Sequence, residues 1–268
     1  MKKIITTMLI GLLIAACGQQ DSKGEEIGSE EVIAVINMDS IREVYNELMK
    51  LRLDPLPLKQ IPEKGKLNPV DEAPKDTLFF VFRENLRQIL HEKNVFGLLE
   101  AVDEQIKNGF GDNNGFAEFV SLWGLDKPDE AGDSEIWQVL GGVLELGGSF
   151  SEQGRFFTAN YVASDWPSEY EPFEYGAIIG SGVRFRSAPT LQSQTIASIS
   201  YNIVKVIEYS DKKETIGGES HPWIKVTLLD GREGFVYGKF LGSPVAYRAG
   251  FERKPNGQWQ MSFLLSGD

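Results

Sequence analysis

The spacing of apolar residues changes period at Trp166-Pro167, and no other feature constrains the fold of this 268-residue chain more. Upstream, apolar side chains recur at helical intervals. Downstream they fall in short runs separated by Gly, Ser and turn pairs. A chain that keeps the two patterns in separate stretches reads as α+β, with a mainly helical N-terminal domain over 30–165 and a small all-β domain over 170–268.

In the helical part, Asp39 or Ser40 caps a helix whose Ile41, Val44, Tyr45, Leu48 and Met49 form one stripe, expected to be buried. Prolines at 55, 57, 62, 69 and 74 then break the pattern, because proline lacks an amide donor and restricts the residue before it. Asp76 or Thr77 opens a second helix carrying Leu78, Phe79, Phe82, Leu86, Ile89 and Leu90. A third is expected from Asn94 with Phe96, Leu99, Val102 and Ile106. Gly109 to Gly115 is a turn, and short segments with Phe116, Phe119 and Trp123 follow it. A last helix from Asp133 carries Ile136, Trp137, Leu140, Val143 and Leu144 and stops at Gly147-Gly148.

In the β part, strands are expected over 177–179, 183–186, 195–200, 204–209, 223–228 and 233–236, with Asp230-Gly231 as a hairpin turn. The polar segment Ser210 to Pro222 reads as an enlarged loop, and loops on β scaffolds often carry binding specificity. Runs at 246–252 and 259–265, joined by Lys254-Pro255-Asn256-Gly257, form an added C-terminal hairpin expected to extend the β domain.

Three motifs in this part resemble the bacterial SH3-like domain (SH3b). Val183-Arg184-Phe185-Arg186-Ser187-Ala188-Pro189-Thr190 is similar to its opening strand, which ends in Arg-Ser-Gly-Pro. Trp223-Ile224-Lys225-Val226 and Asp230 to Leu241 are similar to its closing strands and final turn. Ala188 stands where the family usually has Gly, and Phe235 where it often has Trp. The resemblance implies a small SH3-like barrel that binds cell-wall peptide, glycan or protein. Phe185, Trp223, Phe235 and Tyr237 then either line a ligand groove, with Arg186 contacting a carboxylate, or belong to the barrel core with Arg186 as a structural donor. Family members are often joined to a Cys-His hydrolase, but this chain has a single cysteine, Cys17.

That cysteine follows MKKIITTMLIGLLIAA, which has the charged, apolar and small-residue order of an export signal. Its apolar run is too short for a span, which needs about 20 residues. The tetrad Ile14-Ala15-Ala16-Cys17 resembles the lipobox of bacterial lipoproteins. The resemblance implies a signal peptide over 1–16, removed on export, and acylation of Cys17, whose several chains would hold the protein on a membrane. Residues 17–29 then form a lipidated, polar linker. Gly18, in place of an inner-membrane retention Asp, favours the outer membrane, with the chain facing the periplasm.

Composition narrows the chemistry. With 39 acidic against 27 basic residues, the net charge of −12 argues against a nucleic-acid partner, which calls for clustered cations. The two histidines, His91 and His221, lie far apart, so no zinc motif is present and no metal or other cofactor is expected. His91 suits the negative end of its helix. Asp112, Asn113 and Asn114 suggest a calcium loop, but counting from Asp112 puts Gly115 fourth and Glu118 seventh, which fails the EF-hand spacing. The expectation is a lipid-anchored envelope protein, a non-catalytic binding or adaptor module with the membrane, peptidoglycan or an envelope protein as partner. The alternative is an envelope hydrolase with a carboxylate- or Ser-based site in the helical domain, near Tyr161 to Trp166.

Overall fold

The computed structural model describes residues 37–52 and 63–267. The expectations for the signal peptide, Cys17, the linker and Pro55, Pro57 and Pro62 lie outside the described residues.

Helix α1 (Met38–Leu51) carries the expected stripe, yet none of its residues is fully buried. The helix sits at the margin of the core. Its Tyr45 packs edge-on against Phe80 at 5.1 Å, and the Tyr45 hydroxyl donates to the Pro74 carbonyl at 3.0 Å. The expected burial is therefore only partial. Helix α2 (Thr77–Glu92) is central. Asp76 caps it by accepting the Phe79 amide at 2.8 Å, and Phe79, Phe80, Leu86 and Leu90 are buried.

The expected third helix is corrected. Helix α3 (Val95–Glu100) is short, and Val102 and Ile106 lie on strand β1 (Val102–Lys107). Both are buried, whereas Phe96 is 81% exposed. Their spacing of four suits a strand face as well as a helix face, and pairing with a distant strand decides between them. Helices α4 (Phe116–Leu122) and α5 (Ile136–Glu145) follow, and all five expected residues of α5 are buried. Then come β2 (Ser149–Ser151), β3 (Phe156–Ala159) and the short α6 (Tyr161–Ser164).

The next strands are β4 (Tyr175–Ile178), β5 (Val183–Arg186), β6 (Thr195–Ile199), β7 (Ile203–Ile216), β8 (Glu219–Leu228), β9 (Glu233–Tyr237) and β10 (Leu241–Gly242). They form an antiparallel, curled half-barrel in the order β10-β4-β7-β8-β9-β5-β6. Phe185, Val204, Ile224, Val226 and Val236 are among the residues of its core. The segment read as an enlarged loop is the outer half of a long β7–β8 hairpin, hereafter the arm. Its pairing runs out to Ile216 opposite Glu219, around Gly217-Gly218. Both glycines have positive φ, 63° and 90°, as the tight two-residue turn requires. Its polar composition is that of a solvated ribbon.

The last two strands, β11 (Arg248–Arg253) and β12 (Trp259–Leu265), correct the expected architecture most. They do not extend the half-barrel. They enter a second sheet of order β1-β12-β11-β3-β2, in which β1 and β12 run parallel and the other pairs antiparallel. The reason is apolar burial: Phe251 and Trp259 put their rings 5.5 and 4.8 Å from that of Phe79 on α2. The N-terminal part is thus helices packed on a five-stranded sheet, not mainly helical, and the half-barrel is inserted between two of its strands. A separate apolar cluster, including Val70, Tyr161, Val162, Ala177 and Ile203, joins the two parts.

Candidate functional site

Side chains alternate across a strand, so Ile224, Val226 and Val236 in the half-barrel core place Trp223, Lys225, Phe235 and Tyr237 on the opposite, outer face. Register puts Trp223 beside Tyr237 and Lys225 beside Phe235, with Arg186 on the far side of Phe235. Four of the five residues expected to bind ligand therefore share one face. Phe185 alone points into the core.

This face is not an open groove, which corrects the ligand-groove expectation. Phe185, Arg186, Trp223 and Tyr237 are all buried, Trp223 to 1% exposure, and only Phe235 is half-buried. The arm covers them. The Trp223 indole nitrogen donates to the Glu214 carboxylate at 2.8 Å, and the same carboxylate accepts the Leu191 amide at 3.1 Å and the Thr190 hydroxyl at 3.3 Å. The Tyr237 hydroxyl donates to the Glu214 and Glu219 carbonyls at 2.8 and 2.7 Å and accepts the His221 amide at 3.2 Å. Arg186 donates to the Ser193 carbonyl at 2.6 Å and so braces the β5–β6 loop rather than waiting for a carboxylate. Within the polar run, Glu214 was the residue that sequence reasoning missed, and no local signal marks it.

A concave site lies instead on the five-stranded sheet, beside α6 and the segments that lead to and from the half-barrel. This cleft of about 510 Å³ takes Ser149 and Phe150 from β2, Thr158 from β3, Ser164 from α6, Arg248 from β11 and Phe263 from β12, with Trp166 at its side. Asp165 accepts the Ser149 hydroxyl at 2.5 Å and the Ser164 hydroxyl at 2.8 Å, tying β2 to α6. Arg248 holds the Gly267 and Ala246 carbonyls at 2.9 and 3.3 Å and stacks on Phe110 at 5.6 Å. The cleft thus combines hydroxyl groups, a guanidinium and aromatic walls. Tyr161, on the same α6, is buried; burial above all, with Tyr201 adding to it, raises its phenol pKa well above the usual range, so the group stays neutral.

The remaining candidates are apart from this cleft. His91 is exposed in the last turn of α2, and His221 is on the arm, paired with Glu219 at 3.2 Å. The Gly109–Gly115 loop is pinned by Asn114, whose side chain accepts the Asn108 amide at 2.8 Å and donates to the Gly111 carbonyl at 2.7 Å. Among the described residues no group of three His, Cys, Asp or Glu side chains is placed to share a metal ion, and no helix is long and apolar enough to cross a membrane. A comparison with family models, curated proteins and solved structures returned no match for this chain.

Proposed function

We propose that this chain is a non-catalytic binding or adaptor lipoprotein of the cell envelope. In this reading it is held by an acylated Cys17 in the outer membrane and faces the periplasm, with an SH3b-like half-barrel packed on an α+β domain. The observation that carries the reading is the cleft on the five-stranded sheet beside α6. Its mixture of apolar walls, hydroxyls and one arginine suits an extended peptide or a glycan with a carboxylate, as in cell-wall fragments. The sealed outer face of β8 and β9 moves the proposed site from the half-barrel to this cleft.

The hydrolase alternative would draw on Ser149 and Asp165, which lie in the region singled out for it. A serine nucleophile is activated by a base that takes its proton, and in the familiar triads an imidazole stands between serine and carboxylate. Here the two are bonded directly, and neither histidine lines the cleft. The arrangement favours binding.

The test is co-sedimentation of the purified chain with peptidoglycan and, separately, partner capture by in-cell crosslinking. Replacing Ser164 by Trp would fill the cleft. Loss of both interactions in a variant whose circular dichroism is unchanged supports the reading. Undiminished binding by that variant rejects the cleft as the site.

A further inference from the structure

Residues paired across a sheet share a face, and the floor of the cleft is one such row over four strands. Ser149 on β2 pairs with Thr158 on β3, Thr158 with Gly250 on β11, and Gly250 with Phe263 on β12. Their neighbours Phe157 and Phe251 turn the other way, onto Phe79, so the row faces out of the core. Gly250 has no side chain, and a Cβ there would overlap three adjoining atoms of the Phe263 ring. Glycine therefore lets the ring lie across β11, beside Thr158, as an apolar surface lining the cleft. The other end of the row is polar. Ser149 and Ser164 both give their hydroxyl protons to Asp165, so toward the cleft their oxygens can only accept. The far edge of β2 is closed: the Gly148 amide donates to the Val70 carbonyl at 3.0 Å, the Glu72 amide to the Gly148 carbonyl at 2.9 Å, and the Phe150 amide to the Glu72 carboxylate at 3.1 Å. A peptide cannot dock at this edge by adding a strand.

We infer that the cleft takes the sugar chain of a cell-wall fragment and not its peptide, with one pyranose ring stacked on Phe263. The inference rests on the reading of the cleft as a wall-binding site. A pyranose is amphipathic, with C–H bonds on one face and hydroxyls around its rim. The C–H face suits the electron-rich face of an aromatic ring. The rim hydroxyls, and the N–H of an acetamido group, bring the donors that Ser149 and Ser164 call for. Spacing agrees with this, because Thr158 stands one strand from Gly250, about 4.8 Å, on the side where the rim of a sugar over Phe263 falls. A peptide main chain carries as many carbonyls as amides, and a carbonyl facing these serine oxygens meets no donor. A hydroxyl rotates to donate, so a sugar avoids that mismatch. The cleft volume of about 510 Å³ lies within the roughly 300–1,000 Å³ of small-ligand sites.

The test titrates the purified full chain calorimetrically with two probes from one peptidoglycan: peptide-free glycan strands released by an amidase, and the freed stem peptides. The strands should bind and the peptides should not. Phe263→Leu keeps an apolar cover over Gly250 but removes the flat ring, and should weaken strand binding about tenfold. Thr158→Val, nearly the same in shape, removes a hydroxyl beside the ring and should weaken it about fivefold at unchanged Tm. Binding of the peptides in place of the strands, or strand affinity unmoved in both variants, overturns the inference. If intact peptidoglycan sediments with the chain while the strands do not bind, the inference falls and the wall-binding reading stands. If neither binds, both fall.

Discussion

The Trp223 indole and the Glu214 carboxylate, nine residues apart on the two strands of one hairpin, meet at 2.8 Å and seal the outer face of the half-barrel. Three donors converge on that carboxylate, from Trp223, Leu191 and Thr190, so the arm and the β5–β6 loop are fastened through one side chain. Glu214→Ala leaves the indole of the buried Trp223 unpaired, which costs about 1–3 kcal/mol, while the exposed Leu191 amide can turn to water. Thermal unfolding should show it as a lower Tm, with Glu214→Gln losing less because it keeps one acceptor oxygen. Equal Tm values for Glu214→Ala and the parent would contradict the fastening.

Arg83 and Asp71 form a buried pair at 2.6 Å, each side chain at most 3% exposed. Arg83 also holds Glu84 at 2.8 Å, and Arg52 reaches the other oxygen of Asp71 at 3.0 Å. Replacing Arg83 by Met leaves Asp71 to Arg52 and the Ala73 amide and takes from Glu84 its guanidinium partner, and removing one partner of a buried pair costs up to about 3–5 kcal/mol. Arg52→Met, at the rim of the cluster, should cost clearly less. Urea titrations of the two variants check the order, and a reversed order refutes it.

Gly148 has a φ of 152°, and a Cβ there would overlap the Thr158 carbonyl on the adjoining strand. Backbone cannot yield as a side-chain tip can. Gly148→Ala should therefore destabilise by more than the roughly 1 kcal/mol typical of point substitutions. Gly141→Ala, where a Cβ meets nothing within 4 Å, should be neutral or slightly stabilising because alanine suits a helix interior. Comparable Tm values for the two would count against this account.

Lys254 sits between Asp103, with which it pairs, and Glu252 at 3.2 Å; Arg155 holds Glu252 at 2.7 Å. Burial pushes the Asp103 carboxyl up, but the Lys254 hydrogen bond and the Gln105 amide outweigh it and leave its pKa below the usual value. Glu252 is lowered in the same way, burial being outweighed by Arg155 and Lys254. An acid with a lowered folded pKa contributes stability that is fully present above the unfolded value, about 4, and is lost as pH falls through the folded one. Lys254 has the opposite sign. Burial lowers its pKa, its two carboxylates raise it further, and its contribution is full below the ordinary lysine value and lost above the folded one. Tm measured from pH 2 to 8 should fall in acid, and Asp103→Asn should flatten that fall. An identical acid slope in the variant would reject the assignment.

Much of the fold is legible from local pattern. Asp76 announces α2 because a carboxylate at that position accepts one of the free amides of the first turn, that of Phe79, and Ile136 to Leu144 announce α5 because five apolar side chains at helical spacing can share one buried face. What pattern cannot decide is which distant element a segment meets. Val102 and Ile106 fit either period, and only β12, far along the chain, makes them a strand. The hairpin of β11 and β12 is plain in its turn and its alternation, but its choice of sheet depends on the rings around Phe79. The candidate site was misplaced for the same reason. Trp223 and Tyr237 look like ligand aromatics until the arm is seen to lie over them, and the cleft draws residues from five separate elements that no motif links.

β12 lies between β1 and β11 in the five-stranded sheet although it follows the whole half-barrel in the chain. Chains commonly fold domain by domain from the N-terminus as they are made. Here the strands made before the half-barrel lack an interior partner until residues 259–265 emerge, so the inserted half-barrel can complete its ladder before the sheet that encloses it. Order of synthesis and order of closure run in opposite senses, and the seven-residue β12 becomes the keystone of a sheet begun at β1.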